Sequence, residues 1–288
     1  GIPVHADCQA AVDKAIKACL ALGHEIVEDM PELPVAEVFS GLGVVTSVGM
    51  MASIRAREKL LGRAVRQDEL EQMDWLYLEK AKSYTAEQML MARTNFDTAG
   101  QILDRFFLKY DLILTPVMAV PPPLLGVLTL DQPYDSFARE AVKASPYTAL
   151  FNMTGQPAMS VPMHWTRDNL PVGAHFAAPF GREGRLLALL DKLHFGPGAT
   201  ALEVGPGDGS FLPDLARRFQ QVTALDNSPV MLELARQLCE RESLNNVSLL
   251  LADALHDAHL QADCVVVNMV LHHFAAPADR SEEHTSEL

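Results

Sequence analysis

The chain has 288 residues, of which 49% are hydrophobic, enough for one large or two ordinary cores. Its formal net charge of -14 argues against nucleic acid as a main partner, because phosphate binding needs a surplus of Lys and Arg, and leaves small molecules. Cys8, Cys19, Cys239 and Cys264 are far apart and form neither a C-x-x-C pair nor a Cys/His cluster, so no metal site is expected and a reducing cytoplasm fits best.

From Asp13 to Leu22 apolar residues recur at helical spacing and Gly23 supplies a stop, with a short strand expected at His24 to Glu28. The opening carries charges throughout and begins with Gly1 rather than Met. No signal peptide is therefore expected, and a missing start is. Val35 to Phe107 reads as a helix-rich layer broken near Gly62 and Gly100. The longest apolar stretch, Leu112 to Leu130, contains Pro116, Pro121, Pro122 and Pro123, which break a spanning helix, so it reads as a buried strand and a proline loop, with no membrane partner. Further strands are expected at Met159 to Pro162 and Pro171 to Phe176. After a break between Phe180 and Phe195, strands at Thr200–Val204, Gln221–Leu225, Val247–Leu251 and Cys264–Met269 alternate with helices near Ser210–Phe219 and Pro229–Glu240, the order of a doubly wound parallel sheet.

The run LFNMTGQPAMSVP from Leu150 to Pro162, then LPVG from Leu170 to Gly173 and GRE from Gly181 to Glu183, resembles the C-terminal part of the amidase-signature family. Details such as Gly173 to Phe176 look closest to its 6-aminohexanoate-cyclic-dimer-hydrolase-like subgroup, which acts on cyclic or linear amides of amino-alkanoic acids. In this run Gly155 and Pro157 turn the chain sharply into a strand, while Asn152 and Thr154 satisfy loop backbone groups. The resemblance implies amide hydrolysis by a serine nucleophile, a second, cis-peptide serine and a lysine in a Gly/Ser-rich stretch. Nothing of that kind occurs here: there is no Ser-Ser pair, and Ser40, Ser47, Ser53, Ser83 and Ser136 lack a glycine-rich frame able to build an oxyanion hole. His24, His164 and His175 read as isolated core or surface histidines, so no catalytic residue is expected.

EVGPGDG, from Glu203 to Gly209, follows an apolar strand and opens a helix, where Gly205, Gly207 and Gly209 let backbone N–H groups approach a ligand. Ser210 stands where the dinucleotide fingerprint places Gly or Ala, which favours S-adenosylmethionine (SAM) over NAD. Asp226 ends the second strand and is placed to accept from both ribose hydroxyls, with Asn227 beside it. Asp253 ends the third and is placed to meet the adenine amine with the Ala254 N–H. For Asp208 and Asp226 the competing role is capping a turn or helix. The run resembles class I SAM-dependent methyltransferases, most of all those attached to ArsR-type regulators. Val266 to Phe274 is similar to their fourth strand and its loop; Asn268 falls near the methionine end of the cofactor, and His272 and His273 read as loop fillers. The last nine residues, RSEEHTSEL (280–288), resemble a translated sequencing adapter and are left out of fold reasoning.

The expectation is thus an α/β chain: a partial amidase-type mixed sheet with helices over 1–185, a partial Rossmann-like class I methyltransferase fold over 186–279, and a non-native tail over 280–288. It reads as a composite joined near Gly184 to Leu190, whose surviving activity is at most weak SAM binding. Two alternatives stay open: part of a genuine bifunctional amidase/methyltransferase, or a non-catalytic module for another nucleotide such as NAD.

Overall fold

In the computed structural model, residues 2–193, 198–252 and 262–267 are described. The chain divides into two compact units, Gly1–Lys192 and Leu193–Leu288.

The first unit opens with α1 (Ala6–Ala21), which buries Cys8, Ala11, Ala15 and Cys19 at helical spacing. These small side chains let the helix lie close to its sheet. Its first turn is capped by His5 Nδ1, which accepts from the Asp7 N–H at 3.2 Å, and the helix starts earlier than the apolar pattern suggests. The strand expected at His24 to Glu28 is absent, since that segment pairs with no other strand. Three helices follow, α2 (Val35–Leu61), α3 (Gln72–Ala81) and α4 (Ala86–Phe106), with a 3-10 turn at Gln67–Glu69. Helix α2 stops at Gly62 in the left-handed conformation, as expected. Helix α4 runs straight through Gly100, where a break was expected. A Cβ at Gly100 would stand 3.5 Å from the Thr154 carbonyl oxygen, an ordinary contact. Gly41 is tighter, between α2 and α4, where an added Cβ would meet Phe96 Cε1 at 3.2 Å. By length and composition α2 is apolar enough to cross a bilayer; here Val38, Gly41, Ser47 and Ile54 are its buried residues, and it packs on α3 and α4.

Strand β1 (Ile113–Pro116) leads through the proline loop to α5 (Tyr134–Ala144) and α6 (Thr148–Thr154), two helices the sequence reading did not anticipate. Asn152 and Thr154 are thus helical rather than loop residues, and the Thr154 hydroxyl donates to the Leu150 carbonyl at 2.9 Å. The sharp turn is where expected: Gly155, at φ 82°, ends α6 and the chain enters β2 (Ala158–Trp165). With β3 (Pro171–Ala177) these strands form an antiparallel sheet in the order β1-β3-β2. Pro162, which has no N–H to donate, lies in the outer strand β2 beside a register shift. Gly173 is required by space, since a Cβ would overlap the Ser160 hydroxyl and come within 2.9 Å of Val117 Cγ2. Helix α7 (Glu183–Lys192) closes the unit, burying Leu186, Leu189 and Leu190, with Arg185 Nη1 2.9 Å from Asp111 Oδ1.

The second unit is a parallel sheet in the order β6-β5-β4-β7, made of β4 (Thr200–Val204), β5 (Gln221–Asp226), β6 (Val247–Leu251) and β7 (Cys264–Val267). The crossovers include α8 (Leu212–Arg218) and α9 (Pro229–Arg241), and α9 is capped by the Ser228 hydroxyl accepting from the Met231 N–H. Leu202, Val204 and Leu225 gather on one face with Leu250, Ala252 and Ala262. Strand alternation then turns Ala201 and Glu203 to the other face. At the start of the sheet Asp263 Oδ2 accepts from the Thr200 N–H at 2.8 Å and from its hydroxyl at 3.0 Å, tying β7 to β4.

Candidate functional site

The glycine turn sits at the end of β4 as the sequence implied. Its N–H at Gly205 donates to the Leu225 carbonyl at 2.8 Å, extending the β4–β5 ladder by one residue, so Asp226 stands beside Gly205. Gly205, Gly207 and Gly209 all have positive φ, at 69°, 57° and 79°, a path that only glycine follows without strain. They differ in what surrounds them. A Cβ on Gly207 would meet nothing within 4 Å, which leaves that side of the turn open to a ligand. A Cβ on Gly209 would stand 3.0 Å from Ala235 Cα, so this glycine exists to seat α9.

The two aspartates first serve their own turns. Asp208, exposed, accepts from the Ser210 N–H at 3.0 Å. Asp226 Oδ1 accepts from the Ser228 N–H at 2.8 Å, while Oδ2 has no partner among the described residues. For Asp208 the capping role accounts for the geometry; Asp226 uses one oxygen in its own turn. Asn227 is exposed next to it. Asp253, Ala254, Asn268, His272 and His273 lie outside the described residues, as does the 280–288 tail.

Glu203 is the unusual member. Its side chain is fully buried, and neither carboxylate oxygen has a hydrogen-bond partner among the described residues. Burial pushes its carboxyl up to about 7, because the charged form loses its water without gaining a donor. The sequence places an acid here, but not the missing partner.

In the first unit the candidate serines do not form a site. Ser40, Ser47 and Ser53 all lie along α2, and Ser47 is buried with an unpartnered hydroxyl. The histidines correct the sequence reading, for two of the three expected to be isolated are partnered. His164 Nε2 lies 3.1 Å from Asp7 Oδ1 and Nδ1 lies 2.9 Å from Lys14 Nζ. With the Lys14 ammonium donating to Nδ1, the ring hydrogen sits on Nε2 and is donated to Asp7. His175 Nδ1 is 3.0 Å from the Thr115 hydroxyl, its ring tilts against Phe151 at 5.1 Å, and burial holds it down at about 4, neutral at ordinary pH. Both sets of partners come from remote segments, so no local motif signals them. Two concavities lie elsewhere: a groove of about 540 Å³ between α2 and α4, bordered by Glu37, Ser40 and Met91, and one of about 490 Å³ near Cys239 and Leu244.

The sequence profile of the amidase family matches residues 1–187, and that of a methyltransferase domain matches residues 201–283. The 6-aminohexanoate-cyclic-dimer hydrolase of Paenarthrobacter ureafaciens is 27% identical over 195 residues, covering 65% of this chain and 40% of that protein. The lipoamidase of Enterococcus faecalis is 26% identical over 211 residues, 66% of this chain and 29% of its own length. Among solved structures, a 6-aminohexanoate cyclic dimer hydrolase complexed with substrate superposes with a TM-score of 0.61 at 24% identity, over 66% of this chain and 41% of that one. The chain therefore spans well under half the length of these relatives. The profile covers most of the chain, and the antiparallel sheet with its helices agrees with it. The chain belongs to the amidase family through residues 1–187, and its residues 201–283 are similar to a methyltransferase domain.

Proposed function

We propose that the activity this chain can express is the binding of SAM at the glycine turn of its second unit, and that its amidase part is a scaffold without a nucleophile. One observation carries the reading: Asp226 is held beside Gly205 with Oδ2 unengaged among the described residues, next to a turn whose Gly207 side is open. The buried Glu203 carboxylate, lacking a donor, suits the same ligand, whose amino-acid end carries an ammonium. When bound, SAM supplies an electrophilic methyl group; the chain's residues orient it, with Asp226 accepting from the ribose. The amidase part is proposed to descend from enzymes acting on cyclic or linear amides of amino-alkanoic acids, a reading supported by its likeness to the 6-aminohexanoate-cyclic-dimer hydrolase.

Calorimetric titration of the full chain and its Asp226→Ala variant with SAM tests the site. A charge-assisted hydrogen bond contributes about 1.5–3 kcal/mol, so the variant is expected to bind roughly 10-fold to 150-fold more weakly. Equal affinities remove Asp226 from the site. Tighter binding of NADH than of SAM favours a dinucleotide module instead.

A further inference from the structure

His164, Asp7 and Lys14 bring a base, a carboxylate and an amine together in the first unit. Asp7 and Lys14 stand seven positions apart on α1, two turns along one face. His164 comes from β2, at the point where that strand is irregular: Pro162 pairs with Gly173 and His164 with Val172, so Met163 is an extra residue between them. Directly paired residues share a face of a sheet, and Val172 packs with Met163 against Cys8 and Ala11 of α1. The bulge therefore turns the imidazole to α1, where a regular strand would turn it away. Nε2 then lies 3.1 Å from Asp7 Oδ1, and Nδ1 lies 2.9 Å from Lys14 Nζ. The ring is only 21% exposed while Lys14 is exposed, so solvent reaches the amine and the base beside it is held in place.

A nucleophile within hydrogen-bond reach of a base that a third group orients is the arrangement that activates serine, cysteine or lysine toward acyl carbons. Here the acceptor is an amine. We propose that Lys14 is an acylation site, taking an acyl group from a small acyl phosphate with His164 as the base and Asp7 holding the ring. In the molecules whose Lys14 has released one proton to solvent, an N–H still donates to Nδ1 and the lone pair is free to attack. The nitrogen adds to the acyl carbon, the C–O bond to phosphate breaks, and phosphate leaves with the electron pair. As the N–C bond forms, the N–H proton passes to Nδ1, and the Asp7 carboxylate stabilises the imidazolium until solvent takes that proton. Lys17, one turn along α1, adds a second positive charge that draws in an anionic donor. The product is a stable amide, so Lys14 is a modified residue rather than a turnover nucleophile, and its charge is lost.

The test treats the full chain with acetyl phosphate at mildly alkaline pH and follows the acetylation rate of each lysine by peptide mass spectrometry. Lys17 is the internal control, exposed on the same helix and without a hydrogen bond among the described residues. Lys14 is expected to react roughly tenfold faster than Lys17 or more, a modest share of what a positioned base contributes. A lysine that serves only as a fastener is held as a hydrogen-bonded ammonium and reacts no faster than Lys17, so an equal or slower rate at Lys14 overturns the proposal. His164→Asn, whose amide accepts a hydrogen bond but takes no proton, is expected to bring Lys14 down to the Lys17 rate while Lys17 keeps its own. An unchanged Lys14 rate in that variant removes His164 as the base and overturns the proposal as well. The comparison of the two lysines in the native chain needs no variant, and Asp7→Asn, at the exposed start of α1, reads the same loss if His164→Asn folds badly.

Discussion

At the scale of the residue, the most consequential feature is a buried carboxyl without a hydrogen-bond partner among the described residues. Glu203 is raised from 4.5 to about 7 by burial, so the folded chain holds its proton more tightly than the unfolded chain does. The sign follows: its contribution to stability is fully present below pH 4.5, falls as pH rises, and is lost through pH 7. The full swing is on the order of 3 kcal/mol. Glu203→Gln has no proton to lose, and its stability relative to the native chain is expected to grow by about 2–3 kcal/mol between pH 5 and pH 8.5, read from urea unfolding of the second unit. Parallel pH profiles for the two proteins would show that Glu203 is solvated or paired. His175 has the opposite sign: depressed from 6.5 to about 4, it favours the fold above pH 6.5 and ceases to as pH falls through 4. The acid and the histidine thus set opposite pH limits, each in its own unit.

At the scale of the element, glycines with similar backbones do different work. Gly207 and Gly209 both need positive φ, and an alanine there costs about 1–2 kcal/mol in backbone strain alone. Gly209→Ala additionally drives a methyl against Ala235 of α9, and overpacking adds roughly 1–3 kcal/mol. Gly209→Ala is therefore expected to be the less stable variant by at least about 1 kcal/mol in denaturant unfolding. Gly207→Ala is expected to keep the fold and lose ligand affinity, because its methyl occupies the open side of the turn. If the two variants unfold alike and bind alike, the distinction drawn between packing and ligand approach is wrong. A glycine pattern in sequence shows that the turn exists. Only the packed neighbours show that Gly209 is pressed against α9 while Gly207 has open space beside it.

At the scale of the whole molecule, residues 1–187 carry the amidase family's fold. The serines of this part are scattered along helices, loops and strand β2, and none sits in a glycine-rich turn able to present backbone N–H groups to an oxyanion. The Asp7–His164–Lys14 network orients an imidazole, but Nδ1 faces an ammonium and Nε2 a carboxylate, which leaves no nitrogen for a serine hydroxyl. It fastens α1 to β2. Purified chain is accordingly expected to hydrolyse no member of a panel of short linear and cyclic amides; turnover above a heat-killed control would show a nucleophile that this reading misses.

Local signals in the sequence determined much of this protein. Apolar runs marked β4 to β7, the glycine turn fell between β4 and α8, Gly62 ended its helix and Gly155 turned the chain into a strand. Such features depend on backbone period and turn chemistry within a few residues, so a single stretch specifies them. The tertiary structure alone decided that α5 and α6 are helices, that α4 continues through Gly100, and that His24 to Glu28 finds no sheet. It alone joined His164 to Asp7 across 157 positions and left Glu203 without a donor among the described residues. Pairing and burial are properties of whichever segment packs opposite, and that segment is distant in the chain. An isolated stretch therefore names the side chain but not its partner.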